Sequence, residues 1–173
     1  MNPKLKYGLI IGALIVAGLG SLAYLKKQFN LIKDSCYTIS GGIIHTLGLT
    51  NIKMTIFFKI VNESDITIKL SDMIFNIYVN NIFVTKISKP EEQVIFSKNE
   101  AIIQLEVQFN PVDLLKAGIK NIQSIIYDKE KLIINIKGTF SAKTGGVKLR
   151  NFPIDEKITL KELTTPSNTN KKC

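Results

Sequence analysis

The sequence has no tryptophan, a single histidine and only two cysteines among 173 residues. One histidine cannot supply a cluster of imidazole ligands, and a serine triad would have to draw on His45 alone. His45 reads instead as a loop or partly buried side chain. Cys36 and Cys173 lie too far apart in sequence, and too near the ends, to frame a small disulfide-stapled fold, so they fix no redox compartment. Cys36 has only Lys33 and Asp34 as charged neighbours and belongs to a juxtamembrane linker; it suits lipidation or intermolecular pairing better than nucleophilic catalysis, and a plain linker side chain better than either. Phosphate-cradling loops are also missing. Neither Gly41-Gly42 nor Gly145-Gly146 precedes the lysine and hydroxyl that such a loop needs between a strand and a helix. Gly145-Gly146 reads as a hairpin turn, and Gly41-Gly42 as a bend leading into the folded domain. The acidic residues fall in turns, as Glu91-Glu92, Asp128 with Glu130, and Asp155-Glu156. Such acids are ordinarily solvated, whereas acid–base catalysis needs two carboxyls in contrasting environments across a cleft. These absences point away from an enzyme and from any cofactor, metal or small-molecule substrate.

What the chain does have is a run of nineteen uncharged residues from Tyr7 to Leu25, flanked by Lys4 and Lys6 on one side and by Lys26 and Lys27 on the other. As a helix it would be roughly 28 Å long, the thickness of a bilayer's hydrocarbon core. A single-pass anchor is the expectation. The competing reading, a cleaved signal peptide, calls for a shorter apolar region and a small-residue cleavage site, which Ser21 and Ala23 could imitate. Lysines on both flanks nearly balance, so orientation stays open. Small residues at Gly8, Gly12, Ala13 and Ala17 would permit close helix approach in lipid.

The net charge of +9 invites a nucleic-acid reading that its distribution opposes. From Ser35 to Thr165 there are 16 basic and 13 acidic residues, a net of +3, with signs interspersed. The excess sits at Lys4, Lys6, Lys26, Lys27 and Lys33 beside the apolar run, and at Lys171 and Lys172. Those flanking lysines are the expected membrane-surface contacts, placed to meet anionic headgroups. No aromatic–basic stripe for stacking bases is present, so no nucleic-acid partner is expected. The partners implied are the lipid bilayer and another protein or a second copy of the chain.

Past a linker over 28–38, apolar residues alternate, the period of strands with one buried face. Ile52, Met54, Ile56, Phe58 and Ile60 line one face, and Ile66, Ile68 and Leu70 repeat the pattern. Ile74–Val79 and Ile82–Ile87 flank Asn80-Asn81, two residues that tolerate the positive φ of a tight hairpin. Ile103, Leu105, Val107 and Phe109 form a further inward row, followed by strands over Leu132–Phe140 and around Val147–Leu160. One segment breaks the alternation. After Asn110 as cap, Pro111 opens a helix expected to reach Ser124, with Val112, Leu115, Ile119, Ile122 and Ile126 at helical spacing. The Ser40–Gly48 stretch, with Ile43, Ile44 and Leu47, could be an exposed apolar contact near the membrane. About seven strands with one short helix predict a mainly β fold, an immunoglobulin-like or fibronectin-like sandwich over 39–163, preceded by a transmembrane anchor over 1–27 and followed by a polar tail over 164–173.

A strand ending in Asn62, a hairpin through Asn80 and Asn81, a long strand into a Pro-capped helix, then Ile136-Lys137-Gly138-Thr139-Phe140 and Phe152-Pro153-Ile154: in this order the chain resembles the group 2 late embryogenesis abundant domain, also named for water stress and hypersensitive response. The likeness runs from about Ile39 to Leu163. It departs from the family's usual pattern in having Asn62-Glu63-Ser64 where Asn-Pro-Asn is common, and Asn81 where the hairpin usually has glycine. The resemblance implies a compact, non-catalytic sandwich, often attached to membranes, and suggests a role in stress protection. The expectation is therefore a membrane-anchored protein that binds or protects a macromolecular or lipid surface. The alternative is a structural membrane component of a virion or envelope assembly.

Overall fold

The computed structural model describes residues 37–116, 128–144 and 147–165. They form eight strands in two antiparallel sheets, with little helix. The strands are β1 (Tyr37–Leu47), β2 (Ile52–Val61), β3 (Ile68–Val79), β4 (Ile82–Lys89), β5 (Gln93–Ile95), β6 (Glu100–Phe109), β7 (Ile133–Thr144) and β8 (Val147–Thr159). Helix α1 spans Pro111–Lys116 and α2 spans Leu160–Thr164. One sheet runs β1-β2-β6; the other runs β4-β3-β7-β8, with β5 pairing the start of β3.

Strand parity sets the core. Ile52, Met54, Ile56, Phe58 and Ile60 are all buried from β2, and Ile103, Leu105, Val107 and Phe109 from β6. They meet Phe75, Ile77 and Val79 of β3 and Ile134, Ile136 and Phe140 of β7. Phe58 and Phe75 pack edge to face across the gap, with ring centroids 5.3 Å apart, which joins the two sheets into a sandwich.

Several expectations change. Ile66–Leu70 and Ile74–Val79, read as two segments, belong largely to the single strand β3. Its buried positions switch from Ile68 and Leu70 to Met73, Phe75, Ile77 and Val79 across a bulge. Asp72, at φ 52, takes up the extra residue and resets the parity. Gly41-Gly42 is not a bend leading into the domain but lies within an additional strand, β1, which includes all of Ser40–Gly48 except Gly48; with β5 also added and two segments merged into β3, the total among the described residues is eight. Gly41 lies within it at φ +140, next to a register shift. Gly42 lies against β2 and α2, where an added Cβ would come within 2.6 Å of the Thr55 carbonyl oxygen and 2.8 Å of Leu163 Cδ1.

Asn80 and Asn81 do form the tight hairpin, at φ 48 and 67. The Asn80 carboxamide oxygen also accepts from the Ile133 N–H at 2.8 Å, which ties the turn to β7. Asn110 caps α1, its Oδ1 accepting from the Val112 N–H at 3.0 Å. The inward face of that helix differs from the one expected: Leu114 is buried, while Val112 and Leu115 are exposed. The expected continuation toward Ser124, with Ile119, Ile122 and Ile126, lies outside the described residues. So does the Gly145-Gly146 turn, although Thr144 and Val147 on either side of it are paired.

A second short helix, α2, was not expected. Thr159 and Glu162 close it with a reciprocal capping box, and Leu160 and Leu163 anchor it in the core. No helix among the described residues is long and apolar enough to cross a membrane. The Tyr7–Leu25 run lies outside them.

Candidate functional site

The topology gives the sandwich two distinct ends. At the near end the chain enters β1 at Tyr37, opposite Ile60. The same end gathers the β2–β3 loop, the β5–β6 loop and the facing ends of β7 and β8, since Ile68 pairs with Ile95 and Lys69 with Lys143. The far end carries the Asn80-Asn81 hairpin, α1 and α2.

Asn62, fully buried, organises the near end. Its amide nitrogen donates toward the carbonyl oxygens of Ile66 at 2.8 Å, Phe96 at 2.9 Å and Ile95 at 3.2 Å. With two hydrogens for three acceptors, one of these bonds is shared. Its Oδ1 accepts from the backbone N–H of Ser64 at 3.1 Å and from the Ser64 hydroxyl at 2.5 Å. Backbone bonds from Asn62 N–H to Asn99 O and from Lys98 N–H to Ser64 O complete the join between the two loops. One buried side chain serves three carbonyls, and two of them have a second donor, Ile66 in the Ser64 hydroxyl at 3.0 Å and Phe96 in the Asn99 N–H at 3.3 Å, the satisfaction that low-dielectric burial demands. The substituted Asn62-Glu63-Ser64 sequence thus builds a complete knot, with Ser64 closing the turn.

The knot presents Phe96. Its carbonyl is held inward by Asn62 while 63 % of the residue is exposed, the highest value among the large exposed apolar residues. Around it charges are paired. Lys98, at φ 55, reaches Asp65 at 3.0 Å, Lys148 meets Asp72 at 2.8 Å, Lys59 meets Glu100 at 3.3 Å and Lys69 meets Glu92 at 3.7 Å. Hydrogen bonding from Lys148, with help from Ser71, holds the Asp72 carboxyl below its ordinary range. An exposed aromatic ring on a charge-balanced rim suits an apolar or interfacial contact better than a polyanion. The alternation along the chain contained a signal for it. Val94-Ile95-Phe96 is a run of three apolar residues at the end of the short strand β5 and just past it, and an extended chain cannot turn all three inward; Ile95 is buried, while Val94 and Phe96 are exposed.

A second apolar feature crosses the outer face of the three-stranded sheet. Ile43 lies opposite Thr55, Phe57 is the next residue of β2 on that face, and Ile102 lies opposite Lys59, so the three form a diagonal. Ile43 and Ile102 are exposed and Phe57 is half-buried.

The other candidates stand apart. His45 is exposed and its Nε2 lies 2.9 Å from Thr55 Oγ1, at a second β1 register shift. Asp128 pairs with Lys131 at 3.0 Å, and hydrogen bonding from that lysine lowers its carboxyl pKa. Glu130 pairs with Lys161, whose ammonium pKa is raised chiefly by that hydrogen bond, and Asp155 lies 3.8 Å from Lys137. These contacts lie on exposed surfaces rather than across a shared cleft. Among the described residues no group of three or more histidine, cysteine or acidic side chains is placed to hold a metal ion. Lys4, Lys6, Lys26, Lys27, Lys33, Cys36 and Cys173 all lie outside the described residues.

A two-sheet β-sandwich whose loops are knotted at the end where the chain enters defines the class of protein. Its sequence matches the family profile described as late embryogenesis abundant protein over residues 57–158. The chain belongs to that family. Its fold is similar to the solution structure of an Arabidopsis thaliana protein, with 10 % identity, a TM-score of 0.53 and coverage of 71 % of this chain and 78 % of that one. A crystal structure of a protein from Archaeoglobus fulgidus matches at 12 % identity and a TM-score of 0.44, covering 72 % of this chain and 94 % of that one. No curated protein matches the sequence.

Proposed function

We propose that the chain is a non-enzymatic, membrane-anchored member of the late embryogenesis abundant family, a stress-type protein whose sandwich binds and protects a lipid or macromolecular surface. Residues 1–27 supply the anchor, and the immunoglobulin- or fibronectin-like sandwich is the working part. The observation that carries the reading is a coincidence of position. The apolar run ends at Leu25, eleven residues before β1 begins at Tyr37, and β1 begins at the end of the sandwich that exposes Phe96. Eleven residues reach at most about 38 Å, so the knotted loops stay within reach of the headgroups. Lys26, Lys27 and Lys33 lie on that connector, where each contributes about 1 kcal/mol toward an anionic surface. Family membership supports the stress-type, non-catalytic role.

Fractionation tests the proposal. The full chain should stay in the membrane pellet through alkaline carbonate extraction, and deletion of residues 7–25 should release it. Full recovery of the intact chain in the supernatant would overturn the anchor. A turnover assay whose product disappears on changing His45 or Asp155 would overturn the non-enzymatic reading.

A further inference from the structure

An antiparallel sandwich must manage its open edges, because a bare strand edge is a template for another chain. Three of the long edges here carry recognisable protection. β1 is interrupted by register shifts at Ile39/Gly41 and Ile44/Thr46. β8 carries Lys148, Arg150, Pro153 and Lys157, with Asn151 at φ 59 and a register shift against β7. β4 is only eight residues long, carries Lys86 and Lys89, and is shifted at Ile77/Tyr78.

β6 has none of these devices. Its ten residues, Glu100 to Phe109, pair with β2 in an unbroken register from Ile52↔Phe109 to Val61↔Glu100. It contains no lysine, arginine, proline or glycine, and among the described residues no strand pairs its other side. Beside it, where β4 gives way to β5, a small cleft of about 120 Å³ is lined by Met73, Lys89, Glu91, Gln93, Ile102 and Gln104, among others. The exposed Ile102 therefore borders both the open edge and this cleft.

We propose that β6 pairs with β6 of a second copy of this chain, antiparallel about a two-fold axis at Gln104, to make one continuous six-stranded sheet. The choice of a second copy rests on self-complementarity. A two-fold axis normal to the sheet keeps the outer faces aligned and admits three central registers. One centred on Ile103 sets Glu100 directly against Glu106, a like-charge pair. One centred on Leu105 makes the two Glu106 side chains diagonal neighbours. The register centred on Gln104 sets Gln104 against its own copy, Ile102 against Glu106, and Glu100 against Gln108. Directly opposed like charges are avoided, and the only acidic diagonal involves Glu100, which Lys59 already holds at 3.3 Å. Ile102, 54 % exposed in the single chain, is then covered by the methylenes of Glu106. The two near ends point to opposite sides, about 26 Å apart, because Glu100 and its copy stand eight residues apart along the paired strands. The connectors of two anchors in one bilayer span that separation.

The test uses the full chain in detergent and in native membranes, with Cys36→Ser and Cys173→Ser as background. Gln104→Cys should give a disulfide-linked homodimer under mild oxidation, and Lys53→Cys, on β2 of the same sheet face, should not. Light scattering of the unsubstituted chain should report a dimer. Gln104→Lys, which opposes two ammonium groups at the axis, should weaken that association about fivefold with an unchanged melting temperature. A monomer at all concentrations would overturn the proposal. So would equal cross-linking from both cysteine positions, capture of a different, lysine-rich protein by the Gln104→Cys chain, or a dimer indifferent to Gln104→Lys, which would place self-association in residues 7–25. Membrane extraction is scored separately, so loss of the anchor reading and loss of the pairing are distinguishable.

Discussion

Gly138→Ala should be among the most damaging single-methyl changes available to this domain. Gly138 sits on β7 opposite Phe75 of β3, just past the Asp72 bulge. A Cβ built there would lie 1.9 Å from the Ile74 carbonyl oxygen, 2.9 Å from its carbon and 3.2 Å from Phe75 Cα. All three are main-chain atoms of the neighbouring strand, so no side-chain rotation relieves the contact. The strands must separate, loosening about two ladder hydrogen bonds at about 1 kcal/mol each and displacing the fully buried Phe75 at an overpacking cost of about 1–3 kcal/mol. A loss of roughly 3–5 kcal/mol follows, a large part of the 5–15 kcal/mol typical of a domain. Gly48→Ala is the matched control, because its nearest neighbour would be the Asn51 carbonyl oxygen at 3.4 Å, close to ordinary contact; that change should stay within about 1 kcal/mol of neutral. Denaturant unfolding of both variants measures the difference. If Gly138→Ala loses no more than Gly48→Ala, the close approach of β3 and β7 is not what the structure shows.

Three further outcomes are expected. Phe58→Ala and Leu105→Ala, both fully buried, should each lose about 2–5 kcal/mol in denaturant unfolding, while exposed Glu106→Ala stays within about 0.5 kcal/mol. Asn62→Ala removes one donor from each of the carbonyls of Ile66, Ile95 and Phe96, of which Ile66 keeps the Ser64 hydroxyl and Phe96 the Asn99 N–H, and should cost about 1–3 kcal/mol, with hydrogen exchange rising first in the two near-end loops; uniform change across the domain would refute the knot. Asp72 and Asp128 have lowered folded pKa values, so their contribution is present above the unfolded value of 3.8 and is lost as pH falls through the folded one. Lys161 has a raised value, so its contribution is present below 10.5 and is lost as pH rises through the folded one. Melting temperature should therefore fall on the acid side below about pH 4, and Asp72→Asn should flatten that limb, whereas an identical acid limb in the variant would refute the Lys148 pairing.

Much of the sandwich is legible in the sequence because period-two alternation carries the core directly. β2 and β6 present their apolar rows without a break, and the hairpin turn announces itself through Asn80-Asn81. What escapes is whatever interrupts or ends the alternation. A single residue, Asp72, shifts the phase of β3, and two half-length patterns then look like two strands. In β1 the two glycines and two register shifts dilute the alternation until it resembles a connector. Thr159-Leu160-Lys161-Glu162 contains the capping-box spacing of α2, yet Leu160 also continues a strand pattern, and only the packing of Leu160 and Leu163 decides between them. For α1 the cap was readable and the buried face was not, because a helix of a turn and a half offers too few positions to fix a phase. The near-end site was less accessible still. Asn62 is recognisable as the residue that ends a strand and opens Asn62-Glu63-Ser64, but its role is not, because its three carbonyl partners come from segments four and more than thirty residues away.

The same contrast between pattern and interruption bears on how the sandwich meets other molecules. Bulges, lysines and a proline break the regularity of β1, β4 and β8, and each break makes those edges poorer templates for a passing strand. β6 is legible because nothing breaks it, and for that reason its edge is also the one best suited to strand addition. Regularity elsewhere in the fold serves the core; at an open edge it serves association. The pairing arithmetic around Gln104 then gives this association a definite geometry, since moving the axis by one residue either way brings acidic side chains together. Replacing Glu106 with lysine should therefore leave the Gln104-centred dimer intact, because residue 106 would face Ile102 with Glu100 diagonal to it. It should also turn the Glu100–Glu106 opposition of the Ile103-centred register into an attractive pair, while the Leu105-centred register only exchanges two diagonal glutamates for two diagonal lysines, so Gln104→Cys cross-linking would fall in favour of the Ile103-centred register while the dimer itself persists by light scattering. A Glu106→Lys chain that falls apart into monomers would show that the contact is not the one drawn here.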